Sequence, residues 1–168
     1  MFQTFSPKLQ PASTVVALTD GNSEPAAPTI IWNNDRYVVA WFDKGASPKA
    51  IYAATAREDG TVLAGPKAIT NPGAFRSRYP HVHPLGDRIL VLYSDDRDGN
   101  DGYELYSSTV NNDLAPLTSE QRLTFAARDS LFPIGAFGND GMMGLLFRDD
   151  RQGAQHVFFM RLGCATGG

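Results

Sequence analysis

The most acidic stretch of the chain is SDDRDGNDGYELY at residues 94–106, and its carboxylates could bind calcium or act as paired acids. A calcium loop of the EF-hand type does not fit. Counting from Asp96 puts Asp101 in the sixth place, where glycine is required, and Gly102 comes one place late. A solvated turn is the favoured interpretation. The alternative is an irregular calcium site that uses the oxygen donors Asp95, Asp96, Asp98 and Asn100.

Two histidines, His81 and His83 in the segment YPHVHP, are candidates for metal binding. Residues two apart on a strand point to the same side, so the two imidazoles would share a face. Paired imidazoles suit Zn²⁺ or Cu²⁺, particularly when a symmetry mate supplies two more ligands. Ordinary packed or hydrated histidines are the favoured interpretation. We therefore expect no cofactor, with a metal ion at this pair as the alternative.

Several arginines lie close to the aspartates in sequence, and together they could bind a carboxylate group. Surface ion pairing is the favoured interpretation, because most of them have an aspartate within a few residues. Aromatic residues nearby could stack on a sugar ring. The candidate ligand-binding residues are Arg76, Arg78, Tyr79, Asp95, Asp96, Arg97, Arg128, Phe132, Asp150 and Arg151, with Phe75 as a further aromatic candidate.

These candidates fall at equivalent places of a threefold internal repeat, which determines how they are positioned. A threonine that ends a short apolar segment recurs at spacings of 51 and 54 residues, and a proline recurs at spacings of 52 and 53. An aspartate recurs two residues after an aromatic side chain. The anchor residues are Thr19, Thr70 and Thr124; Pro28, Pro80 and Pro133; and Asp43, Asp95 and Asp149.

Within each repeat the apolar residues alternate with a period of two, which is typical of β-strands. In RYVVAWFD, for example, Tyr37, Val39 and Trp41 would share one face. No segment has the apolar spacing of a helix over ten residues, and 16 glycines and 11 prolines interrupt the chain. The sequence therefore predicts an all-β fold with four short antiparallel strands per repeat, as in the blade of a β-propeller.

The run SDDRDGNDGYELY, together with RLT at residues 122–124, resembles the repeats of bacterial β-propellers of the TolB-like type. The resemblance covers residues 15–162 in three copies and is strongest in the middle copy. In the first copy, DKGASPK has no arginine at the equivalent place. Membership of that family implies a six-bladed propeller with a binding or scaffolding role.

Three blades are too few for a ring, because propellers typically have four to eight. We expect a single domain over residues 1–168, with repeats at about 28–70, 80–124 and 133–162. The third repeat ends after its third strand, whereas residues 13–19 are predicted to form an additional outer strand. A homodimer would then close one six-bladed ring, with each N-terminal strand completing a blade of the partner. A fragment of a longer propeller is the alternative.

Composition argues against several kinds of partner. The 168 residues are 42% hydrophobic and 20% charged, which is typical of a globular domain. The net charge is −3 with both signs interspersed, so we expect no nucleic-acid partner. No apolar run approaches the roughly 20 residues that span a membrane. We expect a cytoplasmic or trimmed exported protein without a signal peptide, and the single Cys164 cannot form an internal disulfide.

The main functional prediction is a non-catalytic binding module whose ligand is a glycan or a peptide. The ligand would bind at the loop end of the ring, near the central channel. The alternative is a glycoside hydrolase or lyase on the same scaffold, which would require two carboxylates across the channel mouth. Aspartates of different repeats could form such a pair, from among Asp95, Asp96, Asp149 and Asp150.

Overall fold

The fold is built from eleven strands, given by a computed structural model that describes residues 1–46, 49–71, 73, 76–98 and 102–163. Within those residues no helix is long and apolar enough to cross a membrane. The strands are β1 Pro25–Asn33, β2 Arg36–Asp43, β3 Ile51–Ala56, β4 Val62–Ala68, β5 Arg78–Leu85, β6 Arg88–Asp95, β7 Glu104–Asn111, β8 Gln121–Arg122, β9 Ser130–Phe137, β10 Met143–Asp149 and β11 His156–Leu162.

The strands form three antiparallel sheets, which we call blades 1, 2 and 3. Blade 1 has the strand order β1-β2-β3-β4, and blade 2 has the order β5-β6-β7-β8. Blade 3 has only three strands, in the order β9-β10-β11. The prediction of an all-β fold is confirmed. In the described part of the chain, β11 has no neighbouring strand on its outer side, as expected for a repeat that ends after its third strand.

The first strand of each blade lies on the axis side of the stack, since β1 contacts β5 and β5 contacts β9. These innermost strands begin where the second strands end. Arg78 at the start of β5 pairs with Ser94, and Ser130 at the start of β9 pairs with Asp149. We call this end of the stack the upper end, and it carries the candidate arginines and aspartates, which belong to blades 2 and 3.

Alternate residues of each strand pack against opposite neighbours, which is why the two-residue period predicted the blades. We call the side of a blade that faces the preceding blade its front face, and the other side its back face. The back face of blade 1 packs on the front face of blade 2, through Val38, Ala40, Phe42, Val82, Ile89, Val91 and Tyr93. The back face of blade 2 packs on the front face of blade 3, through Leu92, Leu105, Met143, Leu145 and Phe147.

Residues 13–19 differ from the expectation, because they do not form a regular strand. Val16 makes an isolated antiparallel bridge with Phe2. Phe2 and Leu18 are buried against the front face of blade 1, in a cluster with Val39 and Trp41. The physical reason is that no preceding blade covers this front face in the single chain. The N-terminal segment covers it instead and shields the apolar side chains of the front face from water.

Candidate functional site

Each innermost strand has the same irregularity near the upper end. The residue before the repeated proline has a positive φ, and the strand register shifts at that place. The three residues are Ala27 (φ 47°), Tyr79 (φ 53°) and Phe132 (φ 58°). A left-handed residue other than glycine costs about 1–3 kcal/mol, so the surrounding sheet must hold it in place. Such a bulge redirects the side chain out of the regular alternation of the strand.

The two aromatic bulge residues contact each other across neighbouring blades. The ring centroids of Tyr79 and Phe132 are 4.0 Å apart, with an angle of 39° between the ring planes. Phe42 of blade 1 meets Tyr79 edge-on at 5.4 Å. Phe132 keeps 40% of its surface exposed, whereas Phe42 is buried. These three residues form an aromatic row across the upper ends of three blades, and the row is open to solvent at Phe132.

Two arginines lie next to the aromatic row. The Arg78 guanidinium is 5.9 Å from the ring centre of Phe42 and 5.4 Å from that of Tyr103. The Arg148 guanidinium is 5.0 Å from the ring centre of Phe132. Neither arginine forms an ion pair with any described carboxylate. Their N–H groups are therefore available to a ligand that rests on the row.

The aspartate that ends the second strand holds the following turn in blades 2 and 3. In each blade its fully buried carboxylate accepts hydrogen bonds from a serine at the start of the innermost strand and from an arginine two residues on. The arginine thus pairs within its own blade rather than with a neighbour. The two groups are Asp95 with Ser77 and Arg97, and Asp149 with Ser130 and Arg151.

These buried groups are structural rather than reactive. Burial acts to raise the pKa of Asp149, but hydrogen bonds from Arg151 and Ser130 outweigh it and lower that pKa. In blade 1 the arginine is replaced by Gly45, and the Asp43 carboxylate accepts the backbone N–H groups of Gly45 and Ala46 instead. The carboxylates of Asp95 and Asp149, whose two oxygens both accept such bonds, cannot exchange protons with a substrate without breaking the turn.

The next aspartate of blades 2 and 3 is placed differently. Asp96 accepts hydrogen bonds from the backbone N–H and the Nε of Arg76, at 2.6 and 2.7 Å, and the two side chains form an ion pair. Asp150 occupies the equivalent place in blade 3, where one of its carboxylate oxygens is buried without a hydrogen-bond partner in the described part of the chain. Asp96 and Asp150 thus differ from the buried Asp95 and Asp149, because Asp96 is held in an ion pair at the surface and Asp150 keeps one oxygen without a described partner.

The acidic turn has little capacity left for a cation. Its three described oxygen donors, Asp95, Asp96 and Asp98, are each paired with an arginine, and for Asp98 the partner is Arg122 at 3.0 Å. Arg128 lies exposed on the segment that leads into β9. Four residues named from the sequence lie outside the described residues, namely Phe75, Asn100, Asp101 and Cys164.

The histidine pair lies on β5, on the back face of blade 2 rather than in the site. His81 Nδ1 and His83 Nε2 are 2.8 Å apart, so one ring donates a hydrogen bond to the other. Blade 3 covers the pair at Gly135, where an added Cβ would lie 3.3 Å from His83 Nε2. No group of three or more metal-ligating side chains is present among the described residues. The pair thus packs between two blades with its facing nitrogens bonded to each other.

The histidine pair is expected to make stability depend on pH. Burial lowers the pKa of His81, and burial together with His81 lowers the pKa of His83 to about 4. Between about pH 6.5 and 4 the unfolded chain binds a proton that folded His83 does not, so stability falls as the pH falls through this window. The free energy of unfolding, measured in urea, should depend less on pH in His83→Gln than in the wild type. An equal pH effect in both, with exposed His156→Gln as the control, would contradict this assignment.

Three contributors to the site were not found from the sequence. Phe42, Tyr103 and Arg148 take part through contacts with the bulge residues or with Arg78. A signal existed for Phe42 and Arg148, because both directly precede the repeated aspartate, at the place that Ser94 takes in blade 2. Alternation puts this position on a back face, where Phe42 does lie, and the bulge at Tyr79 brings the two rings into contact.

Only the comparison with solved structures finds proteins similar to this chain. No family model and no curated protein matches the chain. The endo-arabinase from Bacteroides thetaiotaomicron is similar with a TM-score of 0.69 and 13% identity, over 96% of this chain and 64% of that one. The α-L-arabinanase of Penicillium chrysogenum, complexed with arabinobiose, gives a TM-score of 0.68 and 13% identity, over 91% of this chain and 50% of that one.

A third similar structure is the α-L-arabinofuranosidase of Fusarium graminearum with arabinobiose. Its TM-score is 0.66 at 15% identity, and the match covers 90% of this chain and 50% of that one. This chain thus spans between half and two thirds of the length of these three proteins. At such identities the similarity shows the fold, which is that of β-propeller glycoside hydrolases.

Two predictions from the sequence were wrong. The resemblance to TolB-like propellers is not supported, because no family model matches and the similar structures are arabinan-degrading enzymes. The repeat motif that suggested it is a turn held by a buried aspartate, which blades of unrelated propellers can share. The prediction of a non-catalytic binding module is contradicted by the same enzymes, which favour the hydrolase alternative.

Proposed function

We propose that this chain provides the active site of a glycoside hydrolase that acts on an arabinan-type polysaccharide. The observation that carries the proposal is the upper end, where an aromatic row open to solvent lies at the same end of the stack as the surface carboxylate Asp96 and the partly unpaired carboxylate Asp150. The similar structures support the choice of substrate, because two of them are complexed with arabinobiose. A peptide ligand has no comparable support.

The aromatic row would bind the sugar. The C–H groups of a furanose ring stack favourably on an aromatic face, and Phe132 is the exposed member of the row. Arg78 and Arg148, which have no described carboxylate partner, would donate hydrogen bonds to the sugar hydroxyls. The row would thus fix the plane of the ring, and the arginines its orientation.

Asp96 and Asp150 would supply the two carboxyl groups that glycoside hydrolysis requires. In the reaction the bond between the anomeric carbon and the glycosidic oxygen breaks; the leaving oxygen gains a proton and the anomeric carbon gains the hydroxyl of water. We assign Asp150 the proton for the leaving group, because one of its oxygens has no described hydrogen-bond partner. Asp96 already accepts two hydrogen bonds from Arg76, which suits a base or a nucleophile.

The proposal includes a complete six-bladed ring formed by two copies of the chain. Three blades surround only one side of the axis. A long polysaccharide would therefore contact protein on that side and solvent on the other. A ring would enclose the upper end of the axis and provide two such sites related by a twofold axis.

The test is the release of reducing ends from linear arabinan by the purified protein. We expect arabinose or short arabinan oligosaccharides to appear, and neither xylan nor cellulose to be degraded at a comparable rate. Binding of arabinan without release of reducing ends would overturn the proposal of hydrolysis. Absence of both binding and release, with protein shown to be folded by circular dichroism, would overturn the proposed substrate class.

Replacement of Phe132 by alanine is expected to raise KM for arabinan about tenfold, which corresponds to about 1.4 kcal/mol, with a smaller effect on kcat. The reason is that stacking contributes to holding the sugar in both the ground state and the transition state. Phe137 is the matched control, since it lies at the opposite end of the same strand and is 39% exposed, against 40% for Phe132. Equal KM values for the two alanine variants would contradict the role of the aromatic row.

A further inference from the structure

Blade 3 leaves an apolar back face uncovered. Ile134, Leu146 and Phe159 lie side by side on three neighbouring strands and are 55%, 46% and 63% exposed. The residues that occupy the place of Leu146 in the other blades, Ala40 and Leu92, are completely buried by the next blade. The back face of blade 3 therefore has the composition of a blade interface without the blade that should cover it.

The other end of the stack has a complementary open region. On the front face of blade 1, Ile30 and Trp32 of the innermost strand are 53% and 45% exposed. Val82, which takes the place of Ile30 in blade 2, is completely buried against blade 1. Both open ends thus expose apolar residues at the positions that form the internal interfaces. The partner that fits the back face of blade 3 is the front face of blade 1 of a second copy.

The outer strand that blade 3 lacks can be placed from the other two blades. In blade 1, Ala53 pairs with Lys67. In blade 2, Ser107 pairs with Gln121. Counting from the repeated threonines, the equivalent pair for blade 3 is Phe159 of β11 with Val16. The N-terminal segment therefore contains the residues that an outer strand on β11 requires.

Leu18 already occupies the position of such a strand. In blade 1 the residue before the repeated threonine is Ile69, which packs on blade 2. In blade 2 it is Leu123, which packs on blade 3. Leu18 is the equivalent residue, and it packs on the front face of blade 1. Residues near Leu18 thus contact blade 1 as the outer strand of a preceding blade would.

We infer that two copies join through these surfaces, so that the back face of blade 3 packs on the front face of blade 1 of the second copy and residues 13–19 of that copy pair with β11. In the single chain, Phe2 forms a bridge with Val16 and packs in the front-face cluster of blade 1. When the ring closes, Val16 would pair with Phe159 of the other copy instead of with Phe2 of its own chain. The inference does not depend on catalysis.

A crosslinking experiment tests the strand pairing. Val16→Cys and Phe159→Cys are placed in separate chains, both with Cys164→Ser, so that only a contact between copies can join them. Mixing the two under mild oxidation is expected to give a covalent product of twice the 18.3 kDa chain mass. Leu117→Cys mixed with Phe159→Cys is the control, because Leu117 lies between β7 and β8 of blade 2, away from the proposed joint. Equal yields from the two mixtures would overturn the inferred pairing.

Sedimentation of the unmodified protein tests the same surfaces without cysteines. We expect a dimer, and we expect Leu146→Asp to give a folded monomer, because Leu146 is exposed in the single chain. Its Tm should be lower than that of the dimeric wild type, because association stabilises the folded chain. Leu117→Asp, at a similarly exposed residue of blade 2 outside both surfaces, should remain dimeric. A monomeric wild type, or a Leu146→Asp dimer, would overturn the inference. Both measurements need no substrate, so they can succeed whether or not arabinan is hydrolysed.

Discussion

Replacement of Asp150 by asparagine is expected to lower kcat on arabinan by at least about 100-fold while leaving the fold intact. A general acid contributes about 10²–10⁴-fold to such reactions, and asparagine cannot transfer the proton. The fold should tolerate the change, because one oxygen of Asp150 has no described hydrogen-bond partner to lose. Steady-state rates of reducing-end release, together with circular dichroism, provide the measurement.

The matched experiments for this prediction use Asp96 and Asp87. Asp96→Asn should lose activity to a similar degree, since the reaction requires two carboxyl groups. Asp87→Asn changes an aspartate that is 92% exposed at the opposite end of blade 2 and should keep full activity. Activity within twofold of the wild type in both Asp96→Asn and Asp150→Asn would remove this carboxylate pair from the mechanism.

Replacement of Asp95 by alanine is expected to lower the free energy of unfolding by about 3–5 kcal/mol, which is the usual cost of removing one partner of a buried ion pair. The Asp95 side chain is fully buried and the Arg97 side chain is only 17% exposed. The variant leaves the guanidinium and the Ser77 hydroxyl without this acceptor. Arg97 keeps its pair with Glu120, which limits the loss.

Urea unfolding is the appropriate measurement for the Asp95 variant. Asp87→Ala is its control and should change stability by less than about 0.5 kcal/mol, as exposed substitutions do. A loss below 1 kcal/mol for Asp95→Ala would mean that the turn is held by its backbone alone. We therefore expect substitution of Asp95 to lower stability and substitution of its neighbour Asp96 to lower activity.

The strands and their order could be predicted because the threefold repeat and the two-residue period both follow from local sequence. Burial of Tyr93 and Phe147 on front faces, for example, follows from their place in that period. The difference between Asp95 and Asp96 could not be predicted in the same way. It depends on Ser77 and Arg76, which are brought to them by the pairing of β5 with β6.

The aromatic row escaped prediction for a different physical reason. Tyr79 and Phe132 were candidates from the sequence, but their contact requires positive φ angles, which neither side chain favours. Such angles persist only where the surrounding sheet imposes them, and that information is not local. Residues 13–19 show the opposite case, because their pattern suits a strand but the single chain provides no sheet edge beside them.

Ala27 has the same left-handed backbone as Tyr79 and Phe132 although its side chain is a single methyl group. The backbone geometry is therefore independent of the side chain it carries. An aromatic or polar residue at this place would reach the axis without any rearrangement of the blade. Duplicated blades of this kind can diverge in what they recognise through single substitutions, while the scaffold that supports them remains unaltered.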